Sequence, residues 1–298
     1  MEKTEFLEKS DNDNLKAKVK INVLRVIVYL FLGILSILCL FFFYLLIINT
    51  TRSNNQLQGG QLTFIPGSYF FQNLTNLFTA FKGNFDAVSG FTNSLVIALG
   101  SSILTCYFSA LTAYGIYAYD FKLKKVAEVF ILAVMMIPTQ LSSVGFFELA
   151  VQMNLKNKLW VLIIPAIAAP SVFFYMIQYL RSSLPKDLIE ASRMDGSSEF
   201  GTFNRIVLPI MKPAIAVQFI FSFVASWNNL YMPSLLLTDT SKKTLPVMIN
   251  ALQHTAWGSL DLGCVYMAIF LSILPVVIVY LILSKSIIKG VTAGSVKG

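Results

Sequence analysis

The sequence predicts an all-α membrane protein that crosses the bilayer six times and keeps both termini on the cytoplasmic side. Three observations carry this. Of the 298 residues, 56% are hydrophobic and 13% charged, with a mean hydropathy of +0.68, whereas a soluble domain carries about 25% charged residues. Apolar runs of the roughly 20 residues needed to cross hydrocarbon recur along the chain. The basic residues are also sorted between the two sets of loops that those runs define.

Taken in order, residues 1–22 mix Glu, Lys, Asp and Asn without period and read as a loose tail or surface helix on the cytoplasmic side. The first span is predicted over 23–48, followed by an external segment, 49–90, that is rich in Gln, Asn and Gly at its start and then aromatic. The core of five further spans, 91–284, is predicted at 91–117, 126–150, 159–180, 206–237 and 262–284. Residues 285–298 form a cytoplasmic tail. The first and second spans contain no proline, but the other four carry Pro138, Pro165 with Pro170, Pro209 with Pro213 and Pro233, and Pro275. Such prolines are tolerated in lipid when neighbouring helices satisfy the carbonyls they free. The first apolar run follows some twenty polar residues and lacks a small-residue cleavage site, so it reads as a retained span.

Orientation follows from Lys and Arg. Only Arg52, Lys82, Lys156, Lys158, Lys242 and Lys243 fall on the external side under this arrangement, and the rest of the 23 fall on the other. No basic residue lies deep in a span, where it costs about 2.5–3.5 kcal/mol. The net charge of +8 therefore belongs to membrane topology and gives no support to a nucleic-acid partner. Cys39, Cys106 and Cys264 sit in apolar runs without metal-type spacing and imply neither a disulfide framework nor a metal site.

Catalytic constellations are absent from the sequence: there is no phosphate-cradling glycine loop, HExxH or GxSxG. His254 is the only histidine. No carboxylate sits at mid-membrane depth, as a proton- or sodium-coupled carrier ordinarily requires. The polar groups that could face a pathway are amides, hydroxyls and rings: Asn93, Gln140, Trp227, Asn228, Asn229 and Tyr231. Neutral hydrogen-bonding groups beside aromatic faces suit a sugar. The same residue types also join membrane helices to one another, and both readings stand at this point.

The most polar interior stretch lies between the fourth and fifth spans. Pro185 opens a helix, because a proline in the first turn forfeits no hydrogen bond. Gly196 closes it, and Ser197 or Ser198 can cap a second short helix with Glu199 in its first turn. The result is a cytoplasmic knob of two helices meeting at a glycine corner.

Glu190-Ala191-Ser192, three residues, Gly196, nine residues and then Ile206-x-Leu208-Pro209 resembles the EAA loop of binding-protein-dependent ABC importer permeases. Ser192 in place of the third small residue is the one departure. Asn93-Ser94-Leu95 at the start of the second span also resembles this family, and the tail from Lys289 to Gly298 is similar to the ending of its maltose-type, MalG-like carbohydrate branch. The resemblance implies a type I ABC importer permease architecture, with 182–206 as a coupling loop that docks on a separate cytoplasmic ATPase. It implies coupling roles for Glu190, Ala191, Ser192, Met194, Asp195, Gly196, Phe203, Leu208 and Pro209, with Leu188, Met194 and Phe203 supplying apolar contact to that ATPase. It further implies that ATP and Mg bind only on the ATPase, present in two copies. A second, non-identical permease and an extracellular solute-binding lipoprotein would complete a complex in a bacterial cell membrane. By position, Asn250, Gln253, His254 and Trp257 would reach the binding protein, although an interfacial loop anchored by Trp257 fits the same residues. Other solutes of the glycerol-phosphate or amino-acid type, and an ATP-independent carrier, are the competing functions.

Overall fold

The computed structural model describes residues 2–79, 86–253 and 261–295, with side chains placed at 25–79, 86–253 and 261–284. Among the described residues every regular element is helical. The chain divides into two units, residues 1–73 and 74–298.

The first unit is dominated by α1 (Glu2–Thr50). The stretch Arg25–Thr50 is long and apolar enough to cross a membrane. Residues 2–22, expected as a separate tail or surface helix, continue this same helix. After it the chain turns into α2 (Asn54–Gln58), whose start is fixed by a capping box between Ser53 and Gln56. The turn is stapled by Arg52, only 7% exposed, which donates to the carbonyls of Gln61 (2.8 Å) and Gln56 (3.2 Å). Asn73, on α3 (Phe70–Thr79), gathers the carbonyls of Thr50 and Arg52 at 2.9 and 2.8 Å. Gly67 passes so close to Thr51 that a Cβ would stand 2.4 Å from its carbonyl oxygen, so no other residue fits.

The second unit is organised around α4 (Ala87–Ala118). Asp86 starts this helix by accepting the amides of Val88 and Ser89 at 3.1 Å and the Ser89 hydroxyl at 2.6 Å. Those bonds, the Ser89 hydroxyl first, hold the Asp86 carboxyl below the usual range. Around α4 pack α8 (Pro170–Ser183), α12 (Lys212–Trp227) and α14 (Leu245–Gln253), while α15 (Leu262–Ser295) closes on α12 and α14.

The contact between α4 and the fourth apolar run shows how the prolines are accommodated. That run is α7 (Trp160–Ile163), a 3₁₀ turn (Ile164–Ile167) and α8. Pro170 opens α8 and disfavours helical backbone at Ala169, so the chain leaves the helix at Ala168 and Ala169 and the ladder that would have served the Ala166 carbonyl stops there. Thr105 of α4 donates its hydroxyl to that carbonyl at 2.8 Å. One turn away on either side, Ser101 donates to Leu162 (3.3 Å) and Ser109 to Ala169 (3.4 Å). Residues four apart share a helix face, so the three hydroxyls form a ladder along the broken helix. The small neighbours Ala98, Ser102, Ala110 and Ala113, all buried, let the backbones approach this closely.

Two predicted spans are more bent than the sequence suggests. The third is α5 (Lys124–Val134) and α6 (Thr139–Gln152), joined at 91° across Met135–Pro138. Pro138 disfavours helical backbone at Ile137 and removes its own donor. The fifth bends by 80° at Met211, between α11 (Leu208–Ile210) and α12, with Pro209 and Pro213 on either side. It also ends at Trp227 and not at 237. Asn228–Leu230 break it, and α13 (Tyr231–Leu236) packs separately on α6. Among the described residues, four helices are therefore long and apolar enough to cross a membrane, or up to six if each bent pair is one span.

At one end of the unit Asn157 adopts the left-handed conformation (φ 61°). Its side-chain oxygen accepts the amides of Thr238 (2.7 Å) and Asp239 (3.0 Å), and its nitrogen donates to the Thr238 hydroxyl. The ladder has a direct test. Thr105→Val, which keeps the shape but not the donor, should lower the thermal unfolding midpoint in detergent by the equivalent of about 1 kcal/mol. Thr105→Ser should recover most of that loss.

Candidate functional site

The polar stretch between the fourth and fifth apolar runs folds into α9 (Lys186–Met194) and α10 (Glu199–Thr202). The corner between them is a complete glycine C-cap. Gly196 has φ +76°, its amide bonds the Arg193 carbonyl, and the Ser197 amide bonds the Ser192 carbonyl, both at 3.0 Å. This double closure satisfies the last carbonyls of α9 and turns the chain sharply. Ser198 then caps α10 by accepting the Gly201 amide at 3.1 Å.

Ser192 ties the two helices together. It is 4% exposed, donates to Ile189 at 2.8 Å and lies 3.0 Å from the Thr202 hydroxyl. The hydroxyl that departs from the family pattern thus has a place in this corner, where alanine could make no such bonds. Outside it, Arg193 binds Glu199 with Nε at 2.8 Å and Nη2 at 3.4 Å. That carboxylate raises the Arg193 guanidinium still further above its ordinary range, so the cation is present at every accessible pH.

Four tyrosines attach this corner to α4 and the residue beyond its end. Tyr114, buried at 3% exposure, donates to Glu199 Oε2 at 3.1 Å. The Arg193 guanidinium lies 5.3 Å from the Tyr119 ring centroid, within cation–π range. Tyr117 donates to the Leu184 carbonyl just before α9, and Tyr107 to Asn204 at 3.3 Å. Phe203, fully buried, packs its ring 5.6 Å from those of both Tyr107 and Tyr114. From Phe203 the chain makes one π-helical turn to Val207 before the 80° bend. The tyrosines were not singled out in the sequence. Their signal was a hydroxylated aromatic cluster at the end of an apolar run, the composition of a membrane interface.

A sequence profile of the family described as "Binding-protein-dependent transport system inner membrane component" matches residues 107–291. This chain belongs to that family. The arabinooligosaccharides transport system permease protein AraQ of Bacillus subtilis is 35% identical over 289 residues, covering 95% of this chain and all of that protein. The lactose transport system permease protein LacG of Rhizobium radiobacter is 29% identical, covering 91% and 96%. Among solved structures, a bacterial ABC transporter involved in the import of the acidic polysaccharide alginate aligns with a TM-score of 0.76 at 19% identity, over 89% of this chain and 96% of that one. The last likeness is one of fold. With its apolar helices, this permease-family chain is an inner membrane component that crosses the bilayer several times.

Within the loop that resembles the EAA motif, Glu190, Ala191, Met194, Asp195 and Gly196 are exposed, with Met194 at 88%. Glu190 has no ion pair among the described residues. Leu188 is also exposed, Leu208 is half-buried and Pro209 exposed. Phe203 requires a correction. With no exposed surface it cannot contact another protein, and it is instead the internal apolar anchor of the corner.

The pathway residues divide. Asn93 is 8% exposed and spends its amide nitrogen on the Ser241 and Lys243 carbonyls. Trp227 is 1% exposed, donates its indole N–H to Ser272 at 3.0 Å and stacks on Phe223. Each ties its helix to another segment, so the expectation that they line a pathway is withdrawn. Gln140, Asn228, Asn229 and Tyr231 are exposed. Of the residues expected to meet a binding protein, Asn250 is half-buried on α14 and Gln253 exposed at its end. His254 and Trp257 lie outside the described residues, as do the side chains of the tail from Lys289 onward.

The corner makes its own prediction. Gly196→Ala places a Cβ in the left-handed region and should destabilise the loop by about 1–2 kcal/mol, read as faster limited proteolysis between α9 and α10. Gly196→Asn should be milder.

Proposed function

We propose that this chain is the membrane-spanning permease subunit of an ABC importer for an oligosaccharide, and that the α9–α10 corner is where ATP-driven force enters it. The observation that supports the coupling reading is Glu190 standing exposed and, among the described residues, without an ion pair, on a helix whose other face is locked into the protein's own core. A mere connector between spans has no need of that arrangement. The sugar class is supported by the relatives, whose names include arabinooligosaccharide and lactose transport systems.

In this reading the chain spans the membrane six times, each bent pair counting once, with both termini and the corner in the cytoplasm. It pairs with a second, non-identical permease. Two copies of an ATPase bind ATP and Mg, and this subunit carries out no hydrolysis. Glu190 meets a basic group on the ATPase, while Leu188 and Met194 supply apolar contact. An extracellular solute-binding protein, which is a lipoprotein if the host lacks an outer membrane, delivers the sugar. Closure of the ATPase pair swings the corner and opens the pathway outward, and hydrolysis returns it inward. Gln140, Asn228, Asn229 and Tyr231 remain the candidates for sugar contact, because neutral amides and a phenol can meet hydroxyl rims without the desolvation cost of a charge.

Two measurements test this. Glu190→Ala, an exposed change, should leave membrane insertion intact while abolishing uptake of radiolabelled arabinotriose in cells that carry the full importer. Wild-type uptake with this change would sink the coupling assignment. For orientation, a cysteine at Asp187 should react with a membrane-impermeant maleimide only after the cells are opened. Labelling of intact cells would reverse the topology.

A further inference from the structure

The coupling reading leaves open how a force applied to α9 reaches the helices that move. We infer that Tyr114 and Tyr119, acting with the Arg193–Glu199 pair, are positioning residues that make the corner and α4 travel as one body. The inference rests on the coupling reading, and its test separates the two.

The geometry is a closed circuit through three elements. Arg193 is in the last turn of α9, Glu199 in the first turn of α10, and Tyr114 in the final turns of α4. Arg193 holds Glu199 through two bonds, at 2.8 and 3.4 Å. Glu199 passes the link to the Tyr114 hydroxyl at 3.1 Å, and Arg193 returns it by lying on the ring of Tyr119, the C-cap of α4. Tyr114 and Tyr119 face each other edge-on with centroids 6.2 Å apart. One half of the circuit is solvent-accessible, since the side chains of Arg193 and Glu199 are 37% and 43% exposed. An exposed pair alone contributes little to stability. What distinguishes this one is that Glu199 also accepts from a buried phenol, so breaking it strands a hydroxyl inside the protein.

Other contacts between the corner and α4 are more forgiving. Phe203 packs against Tyr107 and Tyr114 by ring contact, and apolar surfaces can slide. Tyr117 grips the Leu184 carbonyl, ahead of α9. Among the described residues, the Arg193–Glu199–Tyr114 circuit alone fixes the far end of α9, next to the glycine corner, to α4 through directional bonds. α4 is in turn the helix on which α8, α12 and α14 pack. A push on the exposed face of α9 is therefore delivered to the centre of the unit without loss in the corner.

The test uses the assembled importer with its ATPase, in nanodiscs. Spin labels are placed at Asp187 and at Ile103, an exposed position on α4, with Cys39, Cys106 and Cys264 replaced by Ser. In the parent, the label distance should be the same without nucleotide and with ATP plus orthovanadate, as for a rigid body. Tyr114→Phe, which keeps the ring, and Glu199→Gln, which keeps the shape, should each broaden or shift that distance between the two states. Solute moved per ATP hydrolysed, followed with labelled arabinotriose, should fall on the order of fivefold or more. Combining the two changes should add nothing further, because each opens the same circuit. The spectroscopic measurement requires no solute and holds whatever the sugar is.

An unchanged distance in both variants would overturn the inference. So would a fall in uptake that matches a fall in assembled complex, with transport per ATP preserved, since that is the mark of a purely structural contact. Glu190→Ala serves as the companion. If it leaves uptake intact, the coupling reading itself fails. If it abolishes uptake while Tyr114→Phe and Glu199→Gln behave as the parent, only the circuit is wrong.

Discussion

A backbone carbonyl in hydrocarbon has no water to turn to, and this single constraint explains more of the fold than apolar packing does. In lipid, burying leucine against leucine brings little driving force. Helices must be held by shape and by the few polar groups they share. Here the fourth apolar run is broken at Pro165 and Pro170, and its carbonyls are met by Ser101, Thr105 and Ser109 of α4. The hydroxyls need a short reach, which the buried alanines beside them allow. Proline breaks on one helix and a hydroxyl stripe on its neighbour are thus two halves of one solution. Asn93 and Trp227 act similarly elsewhere, each giving an N–H to a main-chain carbonyl of another segment.

The corner at Gly196 shows the opposite regime. It lies in a polar stretch, and its bonds are dense: two main-chain closures, a serine cap, a buried Ser192–Thr202 contact and a charged pair. One face of α9 is occupied by these attachments. The other face leaves Glu190, Leu188 and Met194 bare. A helix only nine residues long is marginal by itself, so its rigidity comes from the face that is held. That division of labour suits a part that must be both firmly mounted and available to a partner.

Much of this was legible in the sequence. The apolar runs located α1, α4, α8, α12 and α15, because twenty-residue hydrophobic stretches have few other fates. Pro185 and Gly196 marked the ends of α9, since each has a local backbone reason to sit there. Three things were not readable. The angles at Pro138 and at Met211 depend on what the bent halves pack against. The inward direction of Phe203 and Trp227 depends on neighbours distant in sequence, so an aromatic residue among amides looked like a binding face when it was an internal rivet. The tyrosines of α4 passed unnoticed for a similar reason: their partners at Glu199 and Leu184 are 85 and 67 residues away. Conversely, Ser192 is the one departure from the motif, and its hydroxyl is engaged on both sides.

The hydroxyl ladder also bears on how the unit can change shape. A serine or threonine in a helix always has a second acceptor within reach, the carbonyl one turn back on its own strand of backbone. Ser102 of α4 already uses this option, donating to Ala98 at 2.6 Å. Ser101, Thr105 and Ser109 could rotate to do the same. If α8 slid along α4, these donors would exchange one acceptor for another instead of being left bare in the oil. A seam of leucines would have to unlock knob from hole, and a seam of fixed amides would have to break. A seam of rotatable hydroxyls can trade acceptors along its length and leave no donor bare.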